Sequence, residues 1–346
     1  MFFLYFCPCM EKINQSQRYI WIDHAKFISI FLVVYFHSPP VFPTVLNTSL
    51  GLLRMSCFFF LSGLLFNFDK YPVVWNFAKH RSKQLLIPYF SFFVLLYVYW
   101  LLWGYKYDPP GTPFYQPLFE YVYGRPDLLD IPLWFISCLF AMQMFFYLFL
   151  KLIKNRFVAT IILLATPFIP DFIDLTNAPW MLDNVCIYFP FYGIAALYRK
   201  EIMQNLGKGK IQLLYGIIVL FVFISIVYLL TSGTVNTVFL RTGLKTVGSF
   251  CILFPVLLII KYLTDFCGEV RFTKYIAMNA IVVLALHAYV ILAIHAFVSL
   301  LGYPSTFFDG RYLLKFLIAV FTVTVMVIPI YLINRYFPFM LGKTKK

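Results

Sequence analysis

The sequence has few charged residues and no regular arrangement of cysteines. Only 12% of its 346 residues are charged, about half the share found in soluble domains. The seven cysteines are an odd number, scattered and mostly within apolar runs, which argues against a disulfide framework. The five histidines lack ligand spacing with carboxylates or thiols, so no metal site is expected. These deficits exclude an ordinary soluble domain and a disulfide-stabilised secreted one.

Long apolar runs stand in place of the missing charge, and 62% of the residues are hydrophobic. Ten stretches approach the roughly 20 residues that a helix needs to cross a bilayer. They fall at about 19–38, 48–68, 85–104, 131–151, 156–171, 180–198, 211–231, 240–263, 275–300 and 312–336. The fifth and sixth are the least regular, because prolines interrupt "TPFIPDFIDLTNAPW". The sequence predicts an all-α polytopic membrane protein with about ten transmembrane helices.

The domain organisation and the orientation follow from the rest of the pattern. No helical repeat, low-complexity tract or long linker appears, so we expect one domain over 1–346, with a core of about 18–336 and a basic tail at 337–346. With the N-terminus in the cytoplasm, the cytoplasmic segments hold 20 of the 28 lysines and arginines. Cytoplasmic segments of membrane proteins are enriched in these residues. Both termini are therefore predicted to be cytoplasmic, and the net charge of +14 indicates topology rather than a nucleic-acid partner.

The first predicted helix carries polar residues that a membrane helix usually avoids. In "RYIWIDHAKFISIFLVVYFHSPP", Asp23 and Lys26 are neighbours on one helix face. His37 follows Lys26 by three turns and about 20°, so all three share a stripe that is roughly 16 Å long between Lys26 and His37. The structural alternative is an ion pair and a histidine that each lie at a membrane interface. This alternative leaves the shared stripe unexplained.

Other predicted spans repeat this feature. Arg54 lies in the second helix, before "CFFFLSG", where Ser62 and Gly63 are small enough to let another helix or a ligand approach. The ninth helix, "NAIVVLALHAYVILAIHAF", places His287 near mid-membrane and His295 two turns further on. Polar groups at this depth usually face a cavity or a partner, although either histidine can also bond a neighbouring backbone carbonyl. The spans together predict a polar cavity among the helices.

A basic cluster precedes the third predicted helix. The stretch "KHRSKQLLIPY" contains Lys79, Arg81, Lys83 and one histidine. Such a cluster can bind anionic lipid headgroups or the phosphates of a cofactor. Simple positive-inside anchoring explains it equally well before any resemblance is considered.

Five motifs in chain order resemble the integral-membrane acyltransferases of the acyltransferase-3 group, and within it the fucose 4-O-acetylase-like branch. They are "WIDHAKFISIFLVVYFH", "FFFLSGLLF", "RSKQLLIPY", "PLWFISCLF" and "NAIVVLALH". The resemblance implies that an acyl group, usually acetyl, is transferred from cytoplasmic acyl-CoA to a hydroxyl of a cell-surface polysaccharide, its lipid-linked precursor or another glycoconjugate. It also implies a multi-pass protein of the inner (plasma) membrane. No bound cofactor is expected, since acetyl-CoA or another acyl-CoA is the donor.

The resemblance also implies roles for individual residues. His37 would be the catalytic base or would carry the acyl group covalently. Arg81 and Lys83 would contact the CoA phosphates, with Lys26 at the cavity entrance. Arg54 would stabilise the thioester oxyanion or hold an acidic acceptor.

Three further residues receive secondary roles. His287 would be a second acid or base, or would position the acceptor. Asp23 would pair with Lys26, because it lies too far along the helix to orient the catalytic histidine. Trp134 would stack on a sugar ring, with an interfacial-belt position as the alternative.

Two other functions fit the composition. A transporter or flippase for a lipid-linked oligosaccharide would use the same cavity for passage, but no paired internal repeats or matching broken helices are found. An inactive, acyltransferase-like scaffold is the other alternative, against which the intact His37 and His287 argue.

Overall fold

The part of the chain that the structure describes consists of helices and their connections. This computed structural model describes residues 19–107, 111–126, 129, 131–209 and 211–343. The α-helices in chain order are α1 (Ile20–His37), α2 (Thr44–Leu64), α3 (Val74–Arg81), α4 (Ile87–Tyr99), α5 (Gln116–Tyr123), α6 (Trp134–Leu152), α7 (Arg156–Ala165), α8 (Ile169–Phe172), α9 (Leu182–Leu197), α10 (Arg199–Asn205), α11 (Ile211–Thr231), α12 (Val238–Cys267), α13 (Arg271–Met278), α14 (Ala280–Leu300), α15 (Tyr312–Val325) and α16 (Val327–Tyr336). The predicted all-α class is confirmed. The end of the predicted basic tail, residues 344–346, lies outside the described residues.

Within these ranges, nine helical segments are long and apolar enough to cross a membrane. They are Ile20–His37, Thr44–Leu64, Val74–Gly104, Trp134–Leu152, Pro179–Leu197, Ile211–Thr231, Val238–Cys267, Ala280–Leu300 and Tyr312–Tyr336. Nine of the ten predicted spans correspond to these segments. The largest difference is in the third, which begins at Val74 rather than near 85, because α3 continues into α4 through a π-helical turn. The chain is a multi-pass membrane protein.

The remaining predicted span, the fifth (156–171), is a shorter and interrupted helix. A 3-10 turn joins α7 to α8, so the segment extends from 156 to 172, about 25 Å at 1.5 Å per residue. At its start, Arg156 Nη1 donates to Glu201 Oε1 at 2.9 Å. At its end, Thr242 Oγ1 at the start of α12 donates to Asp171 Oδ1 at 3.1 Å. The segment therefore connects the same two ends of the bundle as its neighbours.

The first and last described residues lie at the same end of the bundle. His24 Nδ1 in α1 and Thr264 Oγ1 near the end of α12 are 2.8 Å apart. Lys343 Nζ donates to Asn334 Oδ1 at 2.7 Å, and Asn334 Nδ2 donates to Asn279 Oδ1, beside the start of α14, at 2.9 Å. This arrangement fits an even number of crossings.

The two ends of the bundle differ in charge. We call the end that carries Lys26, Arg81, Lys83 and Lys343 the basic end, and the opposite end, where α1 terminates at His37, the far end. The described parts of the predicted cytoplasmic segments lie at the basic end. That this end faces the cytoplasm stays a prediction from the positive-inside rule.

Helix α1 is the central element of the bundle. It contacts α2, α12, α13, α14 and α15. Ala25 and Ser29 are fully buried on α1, and small residues at such positions let neighbouring helices approach closely. The polar stripe of α1 is thus surrounded by protein on several sides.

A π-helical turn, Ser82–Leu86, joins α3 to α4 and carries part of the basic cluster. The N–H of Ile87 donates to the carbonyl of Ser82, five residues earlier. Pro88 follows at the second position of α4 and has no N–H, so the α-helical ladder cannot run unbroken through this point. Such π turns occur often at functional sites. Here the turn places Lys83 at the wall of a cavity.

Candidate active site

The two histidines that the sequence predicts to be functional meet at the far end of α1. His37 is the last residue of α1, and His287 lies two turns into α14. His287 Nε2 and His37 Nδ1 are 3.3 Å apart, and the ring centroids are 5.0 Å apart. The structure therefore brings together residues that are 250 positions apart in the chain.

The hydrogen bonds of the pair assign the tautomers of both rings. Each Nδ1 lies 2.8 Å from the carbonyl four residues earlier, Val33 O for His37 and Val283 O for His287. A carbonyl only accepts, so both Nδ1 atoms carry a hydrogen in the neutral rings. His287 Nε2 is then an acceptor that faces the Nδ1–H of His37. The Nε2 atom of His37 also keeps its lone pair and takes part in neither of these contacts, so it is the basic nitrogen that a substrate can meet.

The two rings differ in accessibility. His287 is 0% exposed, whereas His37 belongs to the exposed residues. His295, the other histidine on α14, instead lies against Phe308, with the ring centroids 4.7 Å apart and the rings tilted by 58°. A substrate can therefore reach His37. The buried His287 holds the orientation of the His37 ring.

Arg54 lies beside this pair. Its guanidinium carbon is 3.7 Å from the centroid of the Phe36 ring, which is itself edge-on to His37 at 5.1 Å. The Nη1 atom of Arg54 is buried and has no hydrogen-bond partner among the described residues. A buried donor without an acceptor costs about 1–3 kcal/mol, so it is available to an oxygen that enters the site. Arg54 thus places an unpartnered donor near the histidine pair, and its oxyanion-stabilising or anion-binding role stays a prediction.

Lys315 is a site residue that the sequence analysis missed. It lies three residues into the last predicted span, 312–336, and its side chain is 0% exposed. Its ammonium group donates to the carbonyls of Phe36 at 3.2 Å, of Pro40 at 2.7 Å and of Ser38. These carbonyls surround the C-terminal end of α1, where a cation is favoured by the helix dipole. Lys315 therefore fixes the corner of the chain that carries the exposed histidine.

A cavity of about 640 Å³ opens at the basic end. All three residues predicted to bind the donor, Lys26, Arg81 and Lys83, line it. Ser62 also lines it and donates to the carbonyl of Phe58 at 2.9 Å. The cavity wall therefore combines the start of α1, the end of α2 and the π turn before α4.

Two polar atoms in the cavity wall have no partner among the described residues. They are Arg81 Nε and Gln143 Oε1, and both are buried. Arg81 uses one other nitrogen, Nη1, to donate to Gln84 Oε1 at 2.9 Å. A guanidinium with a donor left over in a basic cavity fits an anionic ligand, and phosphate oxygens are suitable acceptors. The residues present thus fit an acyl donor that carries phosphate groups.

The cavity ends about one helical turn from the histidine pair. Leu284 lines its inner wall three residues before His287, a rise of about 4.5 Å, and Phe58 lines it four residues after Arg54, about 6 Å. Phe135 completes this inner wall, with its ring centroid 4.4 Å from that of Phe58. A phenylalanine pair thus lines the inner end of the basic cavity.

The remaining predicted residues are distributed around this core. Gly63 faces α9, where a Cβ atom would meet the backbone of Tyr192, so its small size serves helix packing rather than a ligand. Trp134 begins α6 at the far end and lies 6.3 Å, centroid to centroid, from Phe135. Asp23 lies in the first turn of α1, and its pairing with the neighbouring lysine stays a prediction.

The comparison with known proteins identifies one family. The family model Acyl_transf_3, described as an acyltransferase domain, matches residues 19–335. No curated protein and no solved structure matches the chain. The matched range extends from the start of α1 almost to the end of α16, and it includes the histidine pair and nearly all of the basic cavity.

Proposed function

Because the chain belongs to the acyltransferase-3 family, we propose that this membrane acyltransferase moves an acetyl group from cytoplasmic acetyl-CoA to a hydroxyl of a cell-surface glycan or its lipid-linked precursor. The donor enters the cavity at the basic end, and the acceptor reaches His37 from the far end. The protein would lie in the inner (plasma) membrane, as in the fucose 4-O-acetylase-like branch. The observation that carries the proposal is the exposed His37, oriented by a buried histidine and separated from a basic cavity by one helical turn.

In the direct route, His37 Nε2 removes the proton from the acceptor hydroxyl as its oxygen attacks the thioester carbonyl carbon. A C–O bond forms, the C–S bond breaks, and the leaving thiolate recovers the proton from His37. The products are an O-acyl ester and free CoA. Charge that develops on the carbonyl oxygen is stabilised by the unpartnered Arg54 Nη1, since such donors are most effective in a site that excludes water.

A second route uses a covalent intermediate. His37 Nε2 attacks the thioester carbonyl carbon itself, a C–N bond forms, and the C–S bond breaks as CoA leaves as the thiolate. The acceptor hydroxyl oxygen then attacks the acyl carbon and the C–N bond breaks. The hydroxyl proton passes to the released Nε2 and from there to the CoA thiolate, so the products are again an O-acyl ester and free CoA. Both routes need the lone pair on Nε2, and therefore the Nδ1–H tautomer that the Val33 carbonyl imposes. His287 supports either route as a positioning residue, because its Nε2 stabilises positive charge on the His37 ring.

The test is transfer of label from radioactive acetyl-CoA in inverted membrane vesicles, which expose the cytoplasmic face and retain the native acceptor. Wild-type protein should produce alkali-labile ester label that is separable from CoA. His37→Ala should reduce this rate by about 10²–10⁴-fold, the usual contribution of a general base. The matched control is His295→Ala, a histidine on the same helix as His287 that lies outside the site; it should retain the wild-type rate.

The alternative functions give different results in this assay. An oligosaccharide transporter consumes no thioester, so movement of the glycan without ester formation would refute acyl transfer and support transport. Equal rates for wild type and His37→Ala would assign the chemistry to another residue.

A further inference from the structure

The C-terminal segment folds back against the basic end of the bundle. A 3-10 turn, Pro338–Leu341, follows α16, and Gly342 caps it with a φ of 66°. A Cβ atom at Gly342 would meet the backbone carbonyl of Lys83, so the segment lies directly against the π turn before α4. Pro338 is buried, and Met340 and Leu341 pack against the main hydrophobic core. The segment is therefore part of the folded bundle.

This segment supplies a wall of the basic cavity that the sequence analysis did not assign. Leu341, Gly342 and Lys343 line the cavity. The Lys343 ammonium donates to Asn334 at 2.7 Å, and Asn334 is bonded in turn to Asn279, which also lines the cavity. Partial burial lowers the pKa of Lys343, as expected for an ammonium group inside a cavity mouth. The side chain is thus held in position by the bundle.

The charge of the cavity wall points to the kind of ligand. Lys26, Arg81, Lys83 and Lys343 come from four different elements, and no carboxylate is present among the described residues that line the cavity. Like charges that converge on one cavity repel one another, and an anion with several negative oxygens relieves this repulsion. The shared chemistry of such ligands is a phosphate ester, carried either by a nucleotide or by a lipid headgroup.

We propose that Lys343 is a ligand for the phosphates of the acyl-CoA donor and that the C-terminal segment closes one side of the donor site. This rests on the proposed function. A nucleotide is favoured over a lipid headgroup because the cavity continues inward, past Ser62 and Gln143, to the phenylalanine pair at its inner end. A donor anchored by its phosphates at the mouth would extend its acyl arm along this path.

The test measures binding of CoA to the purified full-length protein in nanodiscs of phosphatidylcholine, by calorimetry. Lys343→Gln should weaken CoA binding by roughly tenfold, the loss of about one charge-assisted hydrogen bond. Lys343→Arg should retain most of the affinity, because it keeps the charge. The matched control is Lys154→Gln, an exposed lysine at the basic end outside the cavity, which should bind like wild type.

A second arm separates the two phosphate sources. Melting curves in nanodiscs that contain phosphatidylglycerol report lipid binding. If Lys343→Gln binds CoA like wild type but loses stabilisation by the anionic lipid, Lys343 is a headgroup ligand and the proposal is overturned. Unchanged CoA binding without a lipid effect overturns it too. Failure of wild-type protein to bind CoA at all would instead remove the proposed function, which distinguishes the two conclusions.

Discussion

The position of His37 depends on a buried lysine from another helix. The sequence places Lys315 beside a helix end but does not identify its partners, because these are backbone carbonyls that no side-chain pattern encodes. The structure shows its ammonium group bonded to three carbonyls at and beyond the end of α1. These include carbonyls that a helix terminus leaves without an internal partner. A signal was available in the rarity of lysine within an apolar segment.

We expect Lys315→Met to reduce both stability and turnover. The substitution leaves buried carbonyls without a donor, at about 1–3 kcal/mol for each one that water does not reach. It also releases the corner that holds the exposed histidine, and misplacement of a reacting group by about 1 Å can cost on the order of 10²-fold in rate. The KM for acyl-CoA should stay unchanged, since the donor cavity is at the opposite end of the bundle. Melting curves and steady-state kinetics of the purified variant measure both effects.

The control for this prediction is Arg311→Met, an exposed cation four residues earlier on the same side of the bundle. It should behave like wild type in both measurements. A Lys315→Met variant with normal kcat would show that the corner does not need the lysine to position His37.

The sequence identified the residues of the histidine pair but not their contact. The stripe on the first helix follows from helical geometry alone, and it placed Lys26 and His37 correctly at opposite ends of one face. The meeting of His37 with His287 depends on how α1 and α14 cross, which tertiary packing decides. The same is true of Arg54, whose stacking on Phe36 joins two helices.

At the scale of whole helices, the close contact between α2 and α9 depends on Gly63. A Cβ atom there would lie 2.9 Å or less from the backbone of Tyr192. The sequence left open whether this glycine admits a helix or a ligand, because small residues serve both purposes. The contact with α9 decides for the helix.

We predict that Gly63→Ala destabilises the protein by about 1–3 kcal/mol, the usual cost of forcing extra atoms into a packed interior. Gly51→Ala on the same helix is the matched control, because nothing lies within 4 Å of a Cβ at that position. It should be neutral or stabilising by up to about 1 kcal/mol, since alanine favours the helix more than glycine does. Thermal unfolding in one detergent compares the two, and equal melting temperatures would contradict the role given to Gly63.

The start of the third membrane segment shows where helix prediction from hydropathy fails. The basic cluster interrupts the apolar run, so the predicted span begins near 85. In the structure the chain is already helical from Val74. The π turn joins α3 to α4 and lets the helix continue past the proline at the start of α4. Charges define where a helix leaves the hydrocarbon, whereas backbone hydrogen bonds define where it begins.

For the whole molecule, the charge asymmetry was the most informative sequence feature. It predicted that the segments now found at the basic end lie together, and that both chain ends lie with them. The structure places the described parts of these segments at one end of the bundle, whereas residues 1–18 and 344–346, which contain both chain ends, lie outside the described residues. Pro167 and Pro170 interrupt the fifth predicted span, and they explain why the segment 156–172 is shorter than the nine helical segments that are long enough to cross a membrane.

The predicted topology can be measured with cysteines placed at the two ends. Thr306→Cys at the far end should react with a membrane-impermeant thiol reagent in intact cells. Lys154→Cys at the basic end should react only after the membrane is opened. The parent chain gives the background from the native cysteines. The reverse pattern would place the basic cavity outside the cell, away from cytoplasmic acyl-CoA, and would contradict the direction of transfer.

The most direct measurement is NMR of purified surface glycan from cells that lack the native gene and carry wild type, His37→Ala or His295→Ala at matched membrane levels. The account predicts ester signals with wild type and His295→Ala and none with His37→Ala. Ester signals of equal intensity with His37→Ala would contradict the central role of His37.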